Sequence, residues 1–251
     1  MAEPAGTVDA IRFDRGDGVH LAVRVREGAG PAVMFLPGYG SDMEGSKAVA
    51  LHGWAARTGR PFLRFDYSGC GASDGLFEDG TLARWRDDVL AIVDASQGDL
   101  VLVGSSMGGW VMLLVALARP DRVKALVGIA AAPDFTDWGY SQDEKMAILR
   151  EGRLAKPSPH SDDPEVTTRG FWQSGEANRL LHAEIAIDRP VRLLHGEADA
   201  EVPPAIAHRL ARSLRSADVQ TILVKGGDHR LSRDGDIALL IATVEHLLER
   251  L

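Results

Sequence analysis

Four short runs of almost unbroken apolar residues constrain the fold of this chain more than any other feature of its sequence. They are AVMFL at 32–36, LVLVG at 100–104, KALVGIAA at 124–131 and PVRLLHG at 190–196. A strand with one face in water alternates apolar and polar residues, whereas a parallel strand covered on both faces is apolar throughout. The runs therefore predict the centre of a parallel sheet with helices packed on both sides.

Helical patterns alternate with these runs, and further strand patterns flank them. Strands are predicted at 61–67 and 219–226, and the segments 7–13 and 19–26 are predicted to form an antiparallel hairpin ahead of the sheet. The predicted helices are 44–58, 81–96, 106–119, 203–213 and 234–250. A chain of 251 residues is long enough for one such domain. The sequence predicts a single α/β domain over residues 1–251, with a mostly parallel central sheet and helices on both faces.

Residues 134–189 interrupt this alternation. They contain helical patterns near 143–153 and 171–182 and no convincing strand. A connection of this length is too long for an ordinary loop in a compact domain. Solvated loops rarely carry many aromatic residues, so the five in this segment favour a small helical cap over a site. They are Phe135, Trp138, Tyr140, Phe171 and Trp172. These residues suit the lining of an acyl pocket and the interior of the cap equally well.

The charge and composition of the chain argue against several classes of protein. Its 28 basic and 36 acidic residues give a formal net charge of −8. A nucleic-acid partner is not expected, because such binders need a basic face. The longest apolar run, residues 110–118, is shorter than the about 20 residues that span a bilayer. The single cysteine, Cys70, and the lack of a secretory signal pattern predict a cytoplasmic protein.

The segment Gly104-Ser105-Ser106-Met107-Gly108 is a G-x-S-x-G sequence between a predicted strand and an apolar helix. In this setting the chain turns from strand to helix within about one residue, and the serine is held in a strained conformation with its hydroxyl above the sheet. Glycine is needed on either side because side chains there would collide. The pattern predicts Ser106 as a nucleophile, whereas Ser105 would point away. A tight turn with a capping serine is the alternative.

A serine hydroxyl needs a base, and the base needs a carboxylate that orients it. Among the eight histidines, His229 is favoured because it follows the last predicted strand, where a loop reaches the carboxyl edge of the sheet. Asp199 is the favoured acid, with Glu197 and Glu201 as the alternatives. His195, at the end of the strand before them, is expected to be a structural residue that makes hydrogen bonds.

Two backbone N–H groups are expected to stabilise the oxyanion that forms when the serine attacks a carbonyl. One belongs to Met107, directly after the nucleophile. The other belongs to Tyr39 in the loop LPGYGS at 36–41, where the flanking glycines let the backbone approach a substrate. A glycine-rich turn that only joins strand to helix is the alternative.

The chain shows no pattern for a cofactor or a metal. It contains no P-loop, HExxH or CxxC sequence, and the turn at 69–74 lacks the third glycine of a dinucleotide site. Cys70 fits a small buried residue better than a second nucleophile. Neither a cofactor nor a metal ion is therefore expected.

Together these residues resemble the α/β-hydrolase superfamily, and the similarity covers nearly the whole chain. Longer stretches are similar to one subfamily, the mitochondrial palmitoyl-protein thioesterases that also hydrolyse acyl glucuronides. They are FLPGYGSDMEGSKA at 35–48, RFDYSGCGASDG at 64–75, WRDDVL at 85–90, VGSSMGGWVML at 103–113, RLLHGEADAEVP at 192–203 and DHRLS at 228–232. The resemblance implies a Ser106–Asp199–His229 triad, an oxyanion loop at Tyr39 and hydrolysis of S-acyl or related activated acyl esters. Because no leader is apparent, a bacterial relative is expected.

The sequence therefore predicts a serine hydrolase that cleaves thioesters or esters with an apolar acyl group through an acyl-enzyme intermediate. Its substrate is expected to be a small molecule or an S-acylated protein. One alternative is a carboxylesterase or acyl-glucuronide esterase that acts on small oxygen esters. Another is a non-catalytic ligand receptor of the same fold, although a binding module has no need of a complete triad. A dehalogenase or epoxide hydrolase would need an aspartate in place of Ser106. The sequence leaves the oligomeric state open.

Overall fold

The computed structural model describes residues 11–157 and 164–251. The strands are β1 (Ile11–Asp14), β2 (His20–Arg26), β3 (Ala32–Leu36), β4 (Phe62–Phe65), β5 (Leu100–Ser105), β6 (Val123–Ile129), β7 (Arg153–Lys156), β8 (Glu165–Thr168), β9 (Val191–Gly196) and β10 (Val219–Val224). The helices are α1 (Ser46–Thr58), α2 (Leu82–Ala95), α3 (Met107–Ala118), α4 (Phe135–Trp138), α5 (Gln142–Glu151), α6 (Arg169–Ala177), α7 (Pro204–Ser213) and α8 (Asp234–Leu248).

Eight strands form a central sheet in the order β1-β2-β4-β3-β5-β6-β9-β10. β1 and β4 are antiparallel to β2, and every other neighbouring pair is parallel. The predicted mostly parallel sheet is confirmed, with the four apolar runs as β3, β5, β6 and β9. The predicted first strand, 7–13, can be compared only from residue 11 onward because 7–10 lie outside the described residues.

Each face of the sheet has its own hydrophobic core. Along β3, Met34 and Leu36 belong to the core beneath α2 and α3, whereas Val33 and Phe35 belong to the core beneath α1 and α8. Both sets of side chains are buried because successive residues of a strand point to opposite faces. Burying one such side chain contributes about 1.5–3 kcal/mol. Two covered faces explain why the central runs are apolar throughout.

The segment 134–189, which we propose to be a cap and call the cap segment, lies between β6 and β9. Its helices α5 and α6 correspond to the two predicted helical patterns. The prediction that it contains no strand is wrong, because β7 and β8 pair antiparallel. Each strand has only four residues, RLAK and EVTT, and these carry little apolar pattern. Contacts with residues far away in the sequence hold the pair, and a local pattern cannot show such contacts.

Asp134 ties the start of the cap segment to its far end. Its two carboxylate oxygens accept hydrogen bonds from the N–H groups of Leu180 and Leu181, both at 2.8 Å. The side chain is buried, and burial raises the pKa of this carboxyl. A buried carboxylate needs such partners. These hydrogen bonds therefore join Asp134, at the start of the cap segment, to residues 180 and 181 of the same segment.

His52 on α1 is buried without a hydrogen-bond partner for either ring nitrogen among residues 11–157 and 164–251. Its ring lies edge-on to Phe62, with a centroid distance of 5.7 Å. Burial lowers the pKa of His52, and the charges of Arg64, Arg26 and Arg24 lower it further. The folded protein therefore favours the neutral imidazole.

We expect the free energy of unfolding to decrease as the pH is lowered from about 7 to about 5. The unfolded chain takes up a proton at His52 with the ordinary pKa of about 6.5, whereas the folded chain resists it, so the unfolded state binds more protons below that pH. Urea unfolding of the wild type and His52→Gln measures the effect. The variant should lose less stability over this range than the wild type. His208→Gln, at an exposed site on α7, is the matched control, and equal pH dependence in all three proteins would contradict the prediction.

Candidate active site

Ser106 occupies the turn between β5 and α3. β5 ends at Ser105 and α3 begins at Met107, so the chain changes direction at a single residue. The backbone of Ser106 has φ 53° and ψ −120°, a region that residues other than glycine seldom adopt. This is the strained strand-to-helix turn that the sequence predicts.

Gly104 and Gly108 are required by the space around this turn. A Cβ on Gly104 would lie 2.4 Å from the carbonyl oxygen of Gly108, and a Cβ on Gly108 would lie 2.2 Å from that of Leu36. Both neighbours are backbone atoms, which cannot yield as a flexible side chain can. The close approach of Gly108 to Leu36 also places the loop after β3 against the start of α3.

His229 lies between Ser106 and Asp199. Its Nε2 is 3.1 Å from Ser106 Oγ, and its Nδ1 is 2.9 Å from Asp199 Oδ2. Asp199 follows β9 and His229 follows β10, and these parallel neighbours end at the same edge of the sheet as β5. In the arrangement that suits catalysis, Nδ1–H donates to the carboxylate and Nε2 accepts from the hydroxyl. The structure thus brings the three predicted side chains together.

Asp199 is held by hydrogen bonds to both carboxylate oxygens, and its side chain is fully buried. Oδ1 accepts from the N–H groups of Glu201 and Val202, each at 2.9 Å. Oδ2 faces His229 and, at 3.3 Å, Nε2 of His195. Burial acts to raise the pKa of this carboxyl, but the hydrogen bonds from His195, His229 and Val202 outweigh burial and keep the pKa below its usual range. Asp199 therefore remains ionised at neutral pH.

The two alternative acids lie differently from Asp199 relative to His229. Glu201 has its Oε2 3.6 Å from Nε2 of His229, the nitrogen that faces the serine, rather than from Nδ1. Glu197 is exposed. His195 is buried and its Nε2 lies 2.9 Å from the carbonyl oxygen of Val202, which confirms the expectation that it makes hydrogen bonds.

The two predicted oxyanion donors lie beside Ser106. A Cβ on Gly38 would be 3.4 Å from Ser106 Cβ, so the loop after β3 passes close to the nucleophile. Met107 is the first residue of α3, where helical N–H groups have no partner within the helix. Neither its N–H nor that of Tyr39 donates to a backbone acceptor in the part of the chain that the structure describes.

Ser106 and His229 open into a cavity of about 410 Å³, a size typical of small-molecule sites. The cap segment contributes aromatic residues to its lining, namely Phe135, Trp138 and Tyr140. Phe171 is instead buried in an aromatic cluster, and Trp172 donates from Nε1 to the carbonyl of Thr136 at 3.1 Å. The aromatic residues of the cap segment therefore divide between the two roles that the sequence left open.

Lys47 is a residue of the cavity that sequence reasoning missed. Its ammonium group donates to the carbonyl oxygen of Arg230, the residue after His229. Burial lowers its pKa to about 8. Lys47 thereby connects the start of α1 with the loop that carries His229, and both Lys47 and Arg230 line the cavity. A lone lysine four residues into a predicted helix gives no local signal of this contact.

Three observations bear on other classes of site. No group of three or more His, Cys, Asp or Glu side chains that could hold a metal ion occurs in residues 11–157 and 164–251. No helix in these ranges is both long and apolar enough to cross a membrane. Cys70 is buried, as predicted, and burial raises the pKa of its thiol to about 12, so it is a poor nucleophile.

Comparison with known proteins gives consistent matches. Residues 31–162 match a family model described as alpha/beta hydrolase fold. The human mitochondrial palmitoyl-protein thioesterase ABHD10 is 40% identical over 244 residues, which cover 95% of this chain and 80% of that protein. Its mouse counterpart is 41% identical, with coverage of 95% and 82%. The solved structure of alpha/beta hydrolase domain-containing protein 10 from mouse has a TM-score of 0.90 at 39% identity and covers 97% of this chain and 99% of that chain.

Proposed function

The chain belongs to the α/β-hydrolase family, and from this membership we propose that Ser106, His229 and Asp199 are the catalytic triad of a serine hydrolase. Esterase or thioesterase activity follows from the family and from the similarity to ABHD10. The observation that carries the assignment of residues is the continuous path of hydrogen bonds from Asp199 through His229 to Ser106.

The proposed reaction is acyl transfer to water. Ser106 Oγ attacks the carbonyl carbon of the substrate while Nε2 of His229 takes the hydroxyl proton, and Asp199 stabilises the imidazolium that forms. The N–H groups of Tyr39 and Met107 donate to the oxyanion. His229 then gives its proton to the leaving thiolate or alkoxide, and the acyl group stays on Ser106. A water molecule, deprotonated by His229, then attacks the carbonyl carbon of the acyl-enzyme. The bond to Ser106 Oγ breaks, His229 returns the proton to Oγ, and the carboxylic acid is released.

The residues around the cavity support a substrate with an apolar acyl part and a polar leaving group. His229 must reach the leaving atom to protonate it, so the leaving group lies towards Lys47 and Arg230. The acyl group then lies towards Phe135 and Trp138. We propose thioesters or esters with an apolar acyl group as substrates, including S-acylated proteins, because ABHD10 is named a palmitoyl-protein thioesterase.

We expect the purified protein to hydrolyse S-acyl substrates with a kcat/KM that rises with the length of the acyl chain, because longer chains bury more apolar surface against the cap segment. A matched series of S-acyl and O-acyl esters of several chain lengths measures this. A preference for short oxygen esters would favour the carboxylesterase alternative. A preference for acyl glucuronides would favour recognition of an anionic leaving group by the cations Lys47 and Arg230.

A fluorophosphonate probe separates these enzymes from a non-catalytic receptor. We expect stoichiometric labelling at Ser106, because only a serine activated by a base reacts readily with such a probe. Absence of labelling in a folded protein would favour the receptor.

A cytoplasmic location also stays a proposal. It is supported by a single buried cysteine, which fits a reducing compartment, whereas the ABHD10 relatives are named mitochondrial. Fractionation of the source cells, with detection by an antibody against this chain, tests it.

A further inference from the structure

Tyr39 connects two parts of the molecule, one through its backbone and the other through its side-chain hydroxyl. Its backbone N–H lies in the loop that we propose binds the oxyanion. Its hydroxyl donates to the carbonyl oxygen of Val166 on β8, at 2.6 Å and across 127 positions of sequence. β8 belongs to the cap segment, so one residue spans from the cap segment to the nucleophile.

The ring of Tyr39 is enclosed by four aromatic rings. Phe171 and Phe135 of the cap segment lie edge-on at centroid distances of 4.7 Å and 6.1 Å. Phe77 and Trp85, which precede the cap segment, lie edge-on at 5.2 Å and 5.6 Å. Burial raises the pKa of Tyr39, so the hydroxyl keeps the proton that it donates. The side chain is therefore fixed in both position and hydrogen bonding.

The backbone around Tyr39 is anchored mainly on its Gly38 side, where a Cβ would lie 3.4 Å from Ser106 Cβ and the Gly38 carbonyl accepts a hydrogen bond from the Ser41 N–H at 3.2 Å. Its neighbours Gly38 and Gly40 have no side chains, and Gly40 has φ +64° with no atom within 4 Å of the place where a Cβ would stand. Because Gly40 adds no packing on the other side, the position of the Tyr39 N–H depends on the Tyr39 side chain as well as on the contacts of Gly38. That side chain is in turn held by Val166 and the aromatic rings.

We propose that Tyr39 is a positioning residue through which the cap segment sets the oxyanion hole. This inference rests on the proposed function, in which the Tyr39 N–H binds the oxyanion. Phe135 contacts the Tyr39 ring and also lines the cavity. An acyl group packed against Phe135 therefore stabilises the cluster that holds Tyr39, and part of its binding energy is realised in the transition state. Apolar acyl groups thus gain in kcat as well as in binding.

Tyr39→Phe tests the inference because it keeps the ring contacts and the backbone and removes the hydroxyl, with its hydrogen bonding to Val166 and Thr167 on β8. We expect kcat to fall about ten- to a hundredfold while KM changes less than about threefold, since a displaced oxyanion donor affects the transition state rather than the ground state. Affinity for a boronic acid, whose tetrahedral serine adduct places an oxygen in the hole, should fall with kcat. Affinity for a primary alcohol of the same chain length, which has no carbonyl oxygen to occupy the hole, should not change.

Two further variants accompany it. Phe171→Leu loosens the packing of the Tyr39 ring at a residue outside the cavity lining, and it should also lower kcat with KM unchanged. Thr243→Val is the matched control, because it removes another hydroxyl-to-carbonyl hydrogen bond, from Thr243 to Leu239 at 2.7 Å on α8. Its kcat should stay at the wild-type level, and thermal unfolding of every variant shows that the comparison is made on folded protein.

Wild-type kcat and boronic acid affinity in Tyr39→Phe would overturn the inference. A parallel loss of affinity for the boronic acid and for the alcohol would also overturn it, because it would indicate a structural role only. Ser106→Ala, assayed alongside, separates this inference from the proposed function. If Ser106→Ala abolishes activity and Tyr39→Phe does not lower it, the triad stands and only the inference fails. If Ser106→Ala retains activity, the proposed function itself fails.

Discussion

Ser106→Ala is expected to lower kcat by about 10⁴-fold or more while the protein stays folded. The change removes the oxygen that lies 3.1 Å from His229 Nε2 and no other atom. Alanine meets the same backbone strain as serine at this turn, so the fold has no reason to change. Steady-state kinetics on an S-acyl ester measure the loss of kcat. Circular dichroism shows whether the variant is folded, and fluorophosphonate labelling shows whether the nucleophile has been lost.

The neighbouring hydroxyl provides the control for this variant. Ser105 is the last residue of β5, and Ser105→Ala should lower kcat by less than about tenfold. The double variant Ser106→Ala/His229→Ala should be no slower than either single variant, because the two groups act as a unit. Activity of Ser106→Ala comparable to that of the wild type, or a larger loss in Ser105→Ala, would contradict the assignment of the nucleophile.

Asp199→Asn is expected to lower kcat by about 10³- to 10⁴-fold. The carboxylate accepts from His229 Nδ1 at 2.9 Å, and an amide NH₂ in its place would favour the tautomer with the proton on Nε2, where the base must be free. The loss of the negative charge also removes the group that stabilises the imidazolium. Because the side chain keeps its shape, we expect only a small change in the unfolding temperature beside the large loss of kcat.

Glu201→Gln is the matched control, an acid-to-amide change at the other carboxylate near His229. Glu201 Oε2 lies 3.6 Å from Nε2, whereas Asp199 Oδ2 lies 2.9 Å from Nδ1. We expect a change in kcat of less than about tenfold. If Asp199→Asn were nearly silent and Glu201→Gln lowered kcat strongly, Glu201 would be the catalytic acid.

Most of the sheet and its helices could be predicted from the sequence because the signal for them is local. A strand such as β5 has both faces covered, and each of its residues from Leu100 to Gly104 is buried. The turn at Ser106 was equally accessible, because a Cβ on Gly104 would meet the carbonyl of Gly108 only four residues away, although the space at Gly108 is limited by the distant Leu36. A turn whose geometry depends on nearby residues can be predicted from the residues themselves.

β7 and β8 could not be predicted in this way. The strand RLAK carries a charge at each end and has no β-branched residue, so its pattern is not typical of a strand. Two tyrosines hold β8 through hydrogen bonds. Tyr39 bonds to Val166, and Tyr140 bonds to Thr167. The side-chain role of Tyr39 was hidden for the same reason, since its partner lies in another part of the chain.

A chain selected only for stability would lose the residue at position 106. A φ of 53° suits glycine better than serine, and holding another residue in such a region costs about 1–3 kcal/mol. If Ser106 is the nucleophile, as we propose, turnover requires the serine, so stability and activity favour different residues at position 106. Under that proposal, screening variants for thermal stability alone would favour inactive proteins with glycine at position 106.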